Sequence, residues 1–67
     1  MATIYSIDGV TLTEGVQDCA IKLAKNIARD RRERVIVEDG ATNWLVGPRG
    51  GVKKMTDRIK RKLGFNA

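Results

Sequence analysis

The residues best suited to chemistry in this sequence are cations, and they are unevenly placed. Arg49, Lys53, Lys54, Arg58, Lys60, Arg61 and Lys62 face only Asp57, so residues 49–67 carry a net +6. Residues 1–48 hold six Lys and Arg against seven Asp and Glu, a net of −1. The whole excess of a +5 chain therefore lies near its C-terminal end. Lys and Arg gathered in this way neutralise phosphates and release condensed counterions, which points to nucleic acid as the partner. Two other readings compete for the same residues: a solvated face that keeps a small protein soluble, and a docking site for an acidic protein.

A second basic set, Lys22, Lys25, Arg29, Arg31, Arg32 and Arg34, is diluted by Asp30 and Glu33. It reads as an exposed helix face that could extend the first set into one stripe. Trp44 and Tyr5 are the candidate aromatics for stacking on unpaired bases, although a single Trp in a hairpin is more often a packing anchor. Gly47-Pro48-Arg49-Gly50-Gly51 precedes Lys53 and Lys54, but it lacks the Gly-x4-Gly-Lys-Ser/Thr spacing of a phosphate-binding loop. Gly47-Pro48-Arg49-Gly50 resembles the Gly-x-x-Gly loop of KH domains, yet a strand and not a helix precedes it here. A winged-helix reading of Val35 to Val46 lacks the tight helix pair that enters a major groove.

The inventory excludes more than it offers. There is no His and one Cys, Cys19, so no Cys/His zinc site, His base or internal disulfide can be assembled in one chain. No catalytic, metal or cofactor residues are assigned, and an enzyme is not expected. Cys19 reads as a small buried residue on the apolar face of a helix. Glu38 and Asp39 are neighbours that point apart, a poor acid/base pair.

The elements that must position the cations follow from punctuation and period. The chain has 67 residues, 42% apolar and 31% charged, which suits one small globular domain spanning 1–67. A domain this size buries only about 60% of its unfolded surface. A deep pocket would consume most of the core, which favours a surface that binds. Apolar runs are too short for a membrane span, and no secretory leader is evident, so a cytoplasmic setting is expected.

Ala2 to Ile7 is a β-branched and aromatic strand ending in an Asp8-Gly9 turn. Thr11 and Glu14 have the spacing of a capping box, and Val16, Cys19, Ala20, Leu23, Ala24, Ile27 and Ala28 recur at helical period. Val35-Ile36-Val37 and Trp44-Leu45-Val46 flank turn residues Asp39, Gly40 and Asn43, a hairpin with a connection longer than two residues. Val52, Met55, Ile59 and Leu63 mark a basic C-terminal helix over about 52–63, with Gly64 and Phe65 as its cap. The order β-α-β-β-α predicts an α+β fold: a three-stranded sheet with two helices on one face. Lys53 and Lys54 would then occupy the first helical turn, where the macrodipole disfavours cations unless a phosphate sits on the Gly50 and Gly51 N–H groups.

Two functions follow as expectations. One is a small nucleic-acid-binding module, accessory or regulatory, contacting phosphates through residues 49–62 with weak sequence preference. The other is a protein-interaction module, a regulator or inhibitor of a larger complex or a homo-oligomer, using the sheet face that no helix covers. Tyr5 and Ile7 on one side of the first strand, and Ile4 on the other, leave neither face cleanly polar.

Overall fold

Hairpins dominate the architecture. A computed structural model describes residues 1–55, and among them it shows an α+β fold with a five-stranded antiparallel sheet and one helix. In chain order the elements are β1 (Ala2–Ser6), β2 (Thr11–Val16), α1 (Ala20–Arg31), β3 (Val35–Asp39), β4 (Thr42–Val46) and β5 (Val52–Lys54). Side by side the strands run β2-β1-β3-β4-β5.

This corrects the expected three strands and two helices at two segments. The first is Thr11–Val16, which returns along β1 with Ala2 opposite Val16, Ile4 opposite Thr13 and Tyr5 opposite Thr11. The Thr11 and Glu14 spacing imitates a helix start, but Thr11, Thr13 and Val16 are β-branched and favour a pleated surface. Gly15 settles the matter with a φ of 71°, which no right-handed helix contains. The second segment is Val52–Lys54, expected as the first turn of the C-terminal helix. It is an edge strand instead, with Val52, Lys53 and Lys54 opposite Val46, Leu45 and Trp44. The rest of that helix, with Gly64 and Phe65, lies outside the described residues.

One turn design builds both unexpected hairpins. Ser6 N–H donates to the Val10 carbonyl at 2.8 Å and Gly9 N–H to the Ser6 carbonyl at 3.0 Å. Gly47 N–H donates to the Gly51 carbonyl at 2.8 Å and Gly50 N–H to the Gly47 carbonyl at 3.1 Å. Each is a three-residue connection whose last residue must take positive φ, and glycine supplies it: Gly9 at 90° and Gly50 at 89°. Ser6 Oγ also accepts from Val10 N–H at 3.1 Å, which satisfies a buried hydroxyl. The β3–β4 connection is tighter than expected. Asp39 pairs with Thr42, so only Gly40 and Ala41 lie between the strands.

The core lies between α1 and one face of the sheet. Ala2, Ile4, Val35, Val37 and Val46 point to that face, and Ala24 and Ala28 meet them from the helix. Ala24 and Ala28 are four residues apart and fully buried, so a stripe without bulk lets the helix seat closely on the strands. Leu12, Val16, Ile21, Ile27 and Trp44 close the margins of this core. The helix ends in a Schellman arrangement: Arg32 N–H donates to the Arg29 carbonyl at 3.3 Å and Glu33 N–H to the Ala28 carbonyl at 3.1 Å. Arg32 takes the left-handed conformation there, φ 56°.

Two substitutions test this account by chemical denaturation. Ala28→Leu inserts a branched side chain where the helix meets the sheet and should destabilise the fold by about 1–3 kcal/mol. Arg32→Gly removes the Cβ penalty at the helix end and should stabilise it by roughly 0.5–1 kcal/mol.

Candidate nucleic-acid interface

The described cations of the C-terminal set sit on a sheet edge. Arg49 occupies the middle of the Pro48-Arg49-Gly50 connection, where the turn projects it from the end of the β4–β5 hairpin, exposed. Lys53 and Lys54 follow on β5, which pairs with β4 and is the border strand among the described residues. Successive strand residues point to opposite faces. Lys54, opposite Trp44, therefore shares the α1 side, and Lys53, opposite Leu45, lies on the other. Both are exposed. The three side chains flank one edge, able to meet an anion approaching from the rim or from either face. Arg58, Lys60, Arg61 and Lys62 lie outside the described residues.

This geometry removes the expected phosphate cradle. Residues 52–54 are a strand, so no helix begins there to orient N–H groups and a dipole at an anion. Gly50 N–H is already spent on the Gly47 carbonyl inside the turn. The glycines that invited comparison with phosphate-binding and KH loops serve the hairpin instead. The two lysines also have a local role, since charge on an edge strand discourages pairing with another chain.

The other candidates separate in space. Tyr5 stands opposite Ile36 and Trp44 opposite Val37, and Ile36 and Val37 are adjacent on β3. The two aromatics thus lie on opposite faces and cannot stack on the same stretch of single strand. Trp44 is half-buried against the α1-side core, an anchor first. Lys22, Lys25 and Arg29 are exposed along α1, and Arg31, Arg32 and Arg34 are exposed at and beyond its end. Arg29 donates to Asn26 Oδ1 at 3.3 Å, and Arg31 pairs with Glu33 at 3.4 Å in solvent, contacts of small energetic weight. Cys19, expected in the core, is exposed at the start of α1 with a φ of 56°. Helical period placed it on the apolar face, but the helix proper starts one residue later. Glu38 and Asp39 fall on successive positions of β3 and so on opposite faces.

Sequence reasoning passed over the row Tyr5, Ile36, Leu45 and Lys53, which crosses β1, β3, β4 and β5 on the face away from α1. The signal was present in Val35-Ile36-Val37, because an unbroken apolar run is typical of a strand covered on both sides. Among the described residues no group of acidic, Cys or His side chains could hold a metal ion, and no helix is long and apolar enough to cross a membrane. Comparison with family models, curated proteins and solved structures finds no match to this chain.

Replacing both edge cations with strand formers tests their local role. Lys53→Val with Lys54→Val should leave the monomer folded and promote association through β5, seen as a rising sedimentation coefficient with concentration. The parent chain at the same concentrations should associate less.

Proposed function

We propose that this protein is a small basic nucleic-acid-binding module that contacts the phosphate backbone through the β4–β5 turn, β5 and the chain that follows. The observation that carries the reading is the charge division, −1 over residues 1–48 against +6 over residues 49–67. Arg49, Lys53, Lys54, Arg58, Lys60, Arg61 and Lys62 are the phosphate contacts, and weak sequence preference follows because such contacts carry no base information. The exposure of Arg49, Lys53 and Lys54 on a single edge supports it. Accessory or regulatory work suits a domain of this size, in the cytoplasm, where the exposed free thiol of Cys19 would stay reduced. A second reading, a protein-interaction module or homo-oligomer, draws on the apolar row of Tyr5, Ile36 and Leu45 opposite α1.

The test is an anisotropy titration of labelled duplex DNA, single-stranded DNA and RNA at two salt concentrations. Affinity should fall steeply with salt, with a log–log slope of about −0.9 per phosphate contact on duplex. Lys53→Glu with Lys54→Glu should weaken binding on every sequence and flatten the slope by about 2. Unchanged binding by the double variant would reject the edge as the site. No binding at low salt would reject the function and turn the search to a protein partner.

A further inference from the structure

The five arginines among the described residues all gather at one end of the sheet. Ser6, Val35, Val46 and Val52 stand side by side across β1, β3, β4 and β5 and mark that end. The β4–β5 turn with Arg49 closes just beyond Val46 and Val52. The last turn of α1 and the short link into Val35 bring Arg29, Arg31, Arg32 and Arg34 to the same place. The helix starts from the other end, where Ala2 pairs with Val16 and with Asp39. Asp18, Glu38 and Asp39 lie there. Acids at the arginine end are Asp30, Glu33 and Asp8, the last in the β1–β2 turn on the far side of β3 from Arg49. The net −1 of residues 1–48 conceals this polarity, because folding parts several of the acids from the arginines.

Two of the five have a local reason to be there. Arg29 and Arg31 oppose the negative end of the helix dipole, and they bond Asn26 and Glu33. Arg32, Arg34 and Arg49 are exposed, and their side chains make no ion pair among the described residues. Arg32 is also strained. It holds φ at 56°, in the left-handed region that disfavours a residue with a Cβ and that helix ends commonly give to glycine. Its backbone role, the N–H bond to the Arg29 carbonyl, needs no side chain. A side chain kept in a strained position without local work points to a function.

We propose that Arg32 and Arg34 join Arg49 in a three-arginine clamp on the phosphate backbone at this end of the sheet, an extension that rests on the nucleic-acid reading. Arginine suits the task, because its planar fork meets phosphate oxygens in pairs. From β3 to β5 is two interstrand steps, about 10 Å. Phosphates along one strand of a duplex rise about 3.4 Å each, so that width spans about three of them. The clamp unites two parts of the chain that the sequence keeps apart, and each supplies a cation to one surface.

The experiment is the anisotropy titration repeated on the full chain with two charge-matched variants. Arg32→Gly with Arg34→Gln removes two clamp cations. Lys22→Gln with Lys25→Gln removes two from the first half of α1, away from that end. The clamp variant should weaken binding on every sequence and reduce the salt slope by about 2. The lysine variant should leave the slope nearly unchanged. Chemical denaturation should show the Arg32→Gly protein at least as stable as the parent, so that weaker binding is not unfolding. Equal losses in the two variants would overturn the clamp in favour of net charge alone. A clamp variant that binds like the parent would overturn it too, while weaker binding by Lys53→Glu with Lys54→Glu in the same series would leave the nucleic-acid reading standing. No binding by the parent chain at low salt would overturn both.

Discussion

The structure depends on β3 being buried on both of its faces. Val35 and Val37 are fully buried under α1 and Ile36 is buried on the other side, while β1 and β4 occupy both edges of the strand. A strand enclosed in this way cannot slip by one residue, because a slip would exchange the two sets of side chains between environments of different shape. Every other register follows from it: β1 and β4 take theirs directly from β3, then β2 from β1 and β5 from β4. The helix answers one face with a stripe of alanines that needs close approach. The remaining face carries larger side chains and the only buried methionine.

Much of this was legible along the chain. The β-branched run at Val35, the Trp44 return strand, the Asp8-Gly9 turn and the second half of α1 all follow from local preference and period, and the structure has them. Two segments misled because a real helical signal coincided with a strand. Thr11 and Glu14 have the side chains of a capping box, but Gly15 and Val16 follow before any helical turn could close. Val52 and Met55 fit the helical stripe that runs on to Leu63, yet Gly50 completes a three-residue turn that sends the chain back along β4. In both cases a glycine with positive φ decided between the two, and local pairing overrode a period that continues further along the chain. Sequence alone could not show this, because the hydrogen bonds that select the strand come from a neighbour several residues away.

The candidate site was legible as a list of cations but not as an arrangement. Charge is additive along the sequence, so the division between −1 and +6 needs no fold to be seen. What the fold adds is direction. A helix would have placed Lys53 and Lys54 on adjoining parts of one surface, whereas a strand sends them to opposite sides of the sheet. The described cations thus form a rim, and the aromatic residues are divided between two faces. This favours contact with a charged backbone over a stacking platform, since a rim can follow a line of phosphates without exposing bases.

The pairing pattern also sets how the chain can reach its native state. β1 with β2, β3 with β4, and β4 with β5 are neighbours in sequence joined by short turns, so each hairpin can form on a microsecond scale without help from the others. The β1–β3 ladder is different. It joins residues 2–6 to residues 35–39, with β2 and α1 in between, and that loop must close before Ala2 and Ile4 can complete the core under α1. Among the described strands two local units, β1–β2 and β3–β4–β5, are therefore joined by one long-range seam, and α1 packs across both. The rate of folding should be governed by that seam, whereas interactions that form only after it has closed set the rate at which the molecule comes apart.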